Sequence, residues 1–232
     1  MLMSSSAAVA PEGPGSVSGA PNLPDGFTGT FTSRYVDTGE LRQHVVTGGE
    51  GPPLLLVHGW PQTWYAWRLV MPALARGFTV VVPDQRGTGL SGKPADGYDT
   101  ATLAGDLVAL MDALGHRQFA TKAAKKLPDY AVRHYIDALT DPEALHASFA
   151  IYRALDATIA QNQERKERRL TLPILAIGGQ YSLGEQIAAT MKLAADDVQA
   201  LVVPGCAHWV PEETPEETLA ALTGFLAPYR HG

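Results

Sequence analysis

Apolar residues along this chain fall into two alternating rhythms. Short apolar runs recur at Leu54–Val57, Phe78–Val82, Leu172–Ile177 and Gln199–Val203. Each is too short for a helix and is bounded by turn-forming residues, which predicts strands buried on both faces. Between them apolar positions return at helical spacing. Trp64, Trp67, Leu69, Val70, Met71 and Leu74 form one such set, ended by Gly77, and Leu103, Leu107, Leu110, Met111 and Leu114 form another, ended by Gly115. Helices are likewise predicted over Gly184–Leu193 and Glu213–Leu226. Ahead of all this, Phe27–Tyr35 and Leu41–Val46 flank the turn Asp37-Thr38-Gly39-Glu40 and predict a hairpin.

Strand and helix in this alternation imply an α/β fold, a mostly parallel sheet flanked by helices and wound with right-handed crossovers. From Lys122 to Arg169 the strand signals stop, and the chain reads as helices broken near Pro128 and Asp141-Pro142. Such an insertion caps one edge or mouth of a sheet. The organisation expected is a disordered tail over 1–26, the first part of the core over 27–120, a helical segment over 121–169 and the rest of the core over 170–232.

Composition narrows the function without naming it. The formal net charge of -6 leaves no basic footprint for nucleic acid, and the mixed cluster Glu164-Arg165-Lys166-Glu167-Arg168-Arg169 suits a solvated helix face. Cys206 is the sole cysteine, which excludes an intrachain disulfide and fits a reducing, cytoplasmic compartment. No Cys/His spacing suggests a metal, and no cofactor is expected. The Ser-, Ala-, Gly- and Pro-rich start lacks a basic region before Arg34 and is expected to be a flexible tail and not a signal peptide. No apolar run approaches the ~18 residues of a membrane span.

Three motifs stand at the ends of predicted strands: His58-Gly59-Trp60-Pro61, then Asp84-Gln85-Arg86-Gly87-Thr88-Gly89-Leu90-Ser91, then Gly205-Cys206-Ala207-His208-Trp209. In that order they resemble the α/β-hydrolase superfamily, in its epoxide-hydrolase and haloalkane-dehalogenase branch, over roughly residues 27 to 230. The resemblance implies an α/β-hydrolase-like fold with a truncated helical lid and a small-molecule epoxide or ester as substrate. It implies that His58, Gly59, Trp60 and Pro61 form the oxyanion-side turn, with the Trp60 N–H as donor, and that His208 is the general base. Tyr152 resembles a lid tyrosine that donates to the opening epoxide oxygen; core packing is its other reading. Asp84 and Arg86 are expected to pair and shape their loop. Cys206, two residues from His208, is expected to be an ordinary thiol.

One required part is missing. The family's nucleophile sits on a sharp strand-to-helix turn between small residues, and the sequence holds no such elbow. Where it should follow Gly115-His116-Arg117-Gln118-Phe119-Ala120, the chain passes into Thr121-Lys122-Ala123-Ala124, which resembles the lid. No nucleophile is therefore assigned, and Asp84 is the first place to look for a recruited one. The relay acid is missing too, because Gln180 stands where many relatives place a carboxylate. Two functional readings follow: a hydrolase of epoxide-hydrolase type, or a catalytically inactive remnant of one. With an internal deletion, the Leu172 strand is expected to pair directly with the Leu54 strand, or to stand one weak strand away, supplied by His116–Thr121.

Overall fold

The structure is a computed structural model that describes residues 17, 19–116, 130, 134, 137, 140–165 and 168–229. Strands β1 (Phe31–Asp37) and β2 (Arg42–Gly48) form the predicted antiparallel hairpin, in register from Phe31 opposite Gly48 to Asp37 opposite Arg42. β2 continues antiparallel onto β4 (Thr79–Pro83), which pairs in parallel with β3 (Pro53–Leu55), giving the order β1-β2-β4-β3. A second sheet joins β5 (Ile174–Gly179) in parallel to β6 (Val198–Val203) through the crossover helix α6 (Glu185–Ala194). The sheet structure is thus mixed, with its parallel pairings at β3 and β5.

Alternation along β3 and β4 serves two apolar layers, which is why their sequences read as unbroken apolar runs, whereas β6 exposes Gln199 and Ala200. Leu54, Leu56, Val80 and Val82 pack with Phe27, Phe31, Trp64, Trp67 and Met71 on one face. Leu55 and Val81 point the other way, onto Leu110 and Met111 of α3 (Thr100–Ala113). The predicted helix over Trp64–Leu74 is instead a 3-10 turn (Trp64–Trp67) and a short α2 (Met71–Leu74). Pro72 has no N–H to give to the preceding turn, so a continuous helix cannot run through it. The closing helix divides likewise into α7 (Val210–Glu213) and α8 (Pro215–Leu226). Thr214, outside the helical region before Pro215, is the break.

In the helical segment, α5 (Leu155–Arg165) packs on α3, and α4 (Pro142–Arg153) packs on α5 and sets Ala147 and Ala150 against Tyr98. Asp141 caps α4 by accepting from the Glu143 and Ala144 N–H groups, with Pro142 in the first turn.

Two expectations need correction. The tail is not free throughout: Val17 is buried, Ala20 and Leu23 pack on the main core, and the Tyr65 hydroxyl donates to the Pro21 carbonyl. Nor does β5 pair with β3, since among the described residues β3 pairs only with β4 and β5 only with β6. The physical reason lies in how the second half is held. Leu222 and Leu226 of α8 enter the main core, and Glu212 of α7 forms a fully buried ion pair with Arg68 at 2.8 Å. Among the described residues, α7, α8 and this ion pair tie β5 and β6 to the first sheet. The weak strand expected over His116–Thr121 falls, beyond His116, outside the described residues.

Candidate active site

The oxyanion-side turn leaves β3 and is closed by the Gln62 N–H donating to the Gly59 carbonyl at 2.8 Å. His58 is buried and ties this turn to the loop after β4. Its Nε2 accepts from the Gln85 N–H at 3.2 Å, so the proton lies on Nδ1, which donates to the Gly59 carbonyl at 3.1 Å. Burial pulls the His58 imidazole below its ordinary pKa, against the pull of the Asp84 charge and of the bond to Gly59. A neutral imidazole bracing a backbone is the result.

Asp84 and Arg86 do not pair with each other, contrary to expectation. The Asp84 carboxylate accepts from His44 Nδ1 at 2.8 Å, from the Trp64 N–H at 2.8 Å and from the Leu90 N–H at 3.0 Å. Burial pushes Asp84 up, but the hydrogen bond and charge of His44 outweigh it and hold the carboxyl below its usual range. Gly89, at φ +49°, lets the backbone pass where any Cβ would run into that carboxylate. Arg86 instead grips Asp106 of α3 with two parallel bonds, Nε to Oδ2 at 2.7 Å and Nη2 to Oδ1 at 2.8 Å. With both carboxylate oxygens engaged by hydrogen bonds, Asp84 is not placed to attack a substrate carbon.

Trp60 and Tyr152, from opposite sides of the site, are brought together. Their rings meet edge to face at 5.2 Å, and Phe149, one turn before Tyr152 on α4, lies 5.8 Å from the Trp60 ring. Tyr152 is half exposed, so core packing does not account for it. The Trp60 indole nitrogen and the Gln62 amide nitrogen, both in this turn, are buried without a hydrogen-bond partner among the described residues.

His208 follows β6 on a firmly braced loop. Glu213 spans it, accepting from the Ala207 N–H at 2.8 Å and the Trp209 N–H at 3.2 Å, while Gln180 accepts from the Gly205 N–H at 2.8 Å. Gly179 is glycine because a side chain there would strike Cys206 and Ala207. Cys206 is buried, its thiol donating to the Ala207 carbonyl. The His208 ring is exposed; its Nδ1 lies 3.3 Å from the Ser182 hydroxyl, and Trp209 meets it edge on at 5.2 Å. A hydroxyl can orient an imidazole but cannot stabilise an imidazolium as a carboxylate does. Among the described residues no hydrogen bond or ring contact joins His208 to Trp60 or Tyr152.

A match to the alpha/beta hydrolase fold family covers residues 52–123, from the entry to β3 through the whole of α3. The chain is 27% identical to the soluble epoxide hydrolase of Corynebacterium sp. (strain C12) over 272 aligned positions, covering 82% of this chain and 95% of that protein. Over a shorter stretch of 92 residues it is 46% identical to epoxide hydrolase A of Mycobacterium tuberculosis, covering 38% of this chain and 29% of that one. The solved structure of the epoxide hydrolase CorEH superposes with a TM-score of 0.79 at 25% identity, covering 86% of this chain and 99% of that one. The chain has the α/β-hydrolase fold, and these similarities are to its epoxide-hydrolase branch. The motif residues His58, Trp60, Asp84 and His208 were singled out from their order along the chain. The braces Glu213, Ser182, His44 and Asp106 were not, because each meets its partner through the fold. Arg68 did carry a signal, a charge inside an apolar helical pattern, which implies a buried counter-ion such as Glu212.

Proposed function

We propose that this chain descends from an epoxide hydrolase acting on small molecules and is, as it stands, inactive by the ester route. The observation that carries this reading is the passage from Ala120 to Thr121 without a nucleophile elbow. Two features support it. The alignment with the Corynebacterium enzyme has more positions than this chain has residues, so it includes stretches in which only the relative has sequence. His208 faces Ser182 where catalysis would call for a carboxylate.

In the active ancestor, a carboxylate would open the epoxide, the Tyr152 hydroxyl would donate to the leaving oxygen, and water deprotonated by His208 would cleave the ester. The Trp60 N–H would stabilise the oxyanion of that cleavage. In this chain Trp60, Tyr152 and His208 remain without an ester to act on. The division into core over 27–120, lid remnant over 121–169 and core over 170–232, the cytoplasmic setting and the cofactor-free chemistry belong to the same reading. Among the described residues no helix is long and apolar enough to cross a membrane.

The test is restoration. Inserting between Ala120 and Thr121 the Corynebacterium segment that this chain lacks is expected to create styrene oxide turnover, abolished again by His208→Ala, where the unmodified chain has none. Turnover by the unmodified chain that His208→Ala removes would overturn the reading.

A further inference from the structure

A second constellation lies apart from the His208 loop. Ser33 on β1, His44 on β2 and Asp84 after β4 stand in line, with Ser33 Oγ 2.6 Å from His44 Nε2 and His44 Nδ1 2.8 Å from Asp84 Oδ2. All three are buried, and all three line one cavity of about 330 Å³ whose rim includes the exposed Gly19 and Leu90.

The hydrogen bonds fix the protons. Asp84 accepts from the Trp64 and Leu90 N–H groups as well as from His44, so it is the ionised acceptor of the set. His44 therefore carries its proton on Nδ1 and presents a bare Nε2, which the Ser33 hydroxyl fills as donor. Ser91 secures the base in place, accepting from the His44 N–H at 2.8 Å while its own hydroxyl donates to the Asp84 carbonyl at 2.6 Å. This is the geometry in which a serine is activated: nucleophile to base within 3.2 Å, and the base oriented by a carboxylate.

We propose that Ser33, His44 and Asp84 form an acyl-accepting serine site for small activated esters, separate from the His208 chemistry. The cavity is at the lower end of the about 300–1,000 Å³ range of small-molecule sites. Its walls include Val17, Ala20 and Trp64, which suits a short apolar acyl group. Ser33 Oγ attacks the acyl carbon as His44 Nε2 takes the hydroxyl proton, Asp84 holding the imidazolium. The ester C–O bond breaks, the alcohol or phenolate leaves, and the proton on His44 passes to it or to solvent. Water, deprotonated in turn by His44, then cleaves acyl-Ser33 to the acid and regenerates the serine. With p-nitrophenyl acetate, acylation outpaces this second step because nitrophenolate is a far better leaving group than the Ser33 alkoxide.

The experiment follows p-nitrophenolate release from p-nitrophenyl acetate by the purified chain and maps acetylated residues by peptide mass spectrometry. A burst is expected, with acetyl on Ser33, absent in Ser33→Ala and slowed about 10²- to 10⁴-fold in His44→Gln. Because either variant could disturb the hairpin, the wild-type chain is also labelled in denaturing urea, where Ser33 is expected to lose its reactivity. Absence of acetyl on Ser33 in the folded wild-type chain would overturn the proposal. So would labelling that persists undiminished in urea, or in a folded His44→Gln variant.

Discussion

His58 and Asp84 are buried groups that the fold holds in fixed protonation states, and each makes stability depend on pH. His58 has its folded pKa lowered below 6.5, chiefly by burial. Between the folded value and 6.5 the unfolded chain therefore binds more protons, and stability falls as pH drops through that window. The urea midpoint is expected to fall from neutral pH to about pH 5, and His58→Asn to flatten that slope even as it lowers the midpoint overall. Asp84 is lowered below 3.8 in the folded chain, so its contribution is complete above that value and is lost as pH falls through the folded pKa. The Arg68 and Glu212 side chains are fully buried together, so Glu212→Gln strands a guanidinium and is expected to cost about 3–5 kcal/mol. Arg68→Met combined with Glu212→Leu is expected to cost much less, which equilibrium urea unfolding measures directly.

At the scale of elements, α5 is tied to the start of α3 by polar contacts. Asp99 caps α3 by accepting from the Ala101 and Thr102 N–H groups, and Gln161 of α5 donates to the same carboxylate at 2.7 Å while accepting from the Ala101 N–H. The Gln161 bond, then those from Thr102, hold the Asp99 carboxyl well below its usual range. Asp99→Ala is expected to cost about 1 kcal/mol as a lost cap. Gln161→Ala is expected to spare α3 and speed proteolysis within 155–165, read by limited digestion. Sequence made the strands legible because burial on both faces leaves an unbroken apolar run, as at Leu54, Leu55 and Leu56. It joined two pieces of helix across Pro72 and again across Pro215, where periodicity continues although a proline cannot. In the site it found the motif residues and missed their braces. Ser182 meets His208, and His44 meets Ser33 and Asp84, only after strands and loops distant in the chain have folded together.

At the scale of the whole molecule, the two sheets do not pair among the described residues, and the first is joined to the second by α7, α8 and one buried ion pair. The candidate site residues ride on separate parts: Trp60 on the first half, His208 on the second, Tyr152 on α4. What an epoxide hydrolase needs between them is a carboxylate on a strained turn, which the sequence lacks. The account stands on that absence, and the most direct measurement is a search for the covalent intermediate itself. The purified chain is incubated with styrene oxide, quenched in acid and examined by intact and peptide mass spectrometry, alongside a His208→Ala variant in which any ester would accumulate. The account predicts no ester on any aspartate or glutamate of either protein. A stoichiometric adduct on one carboxylate, persistent in His208→Ala and turned over in the wild-type chain, would contradict it.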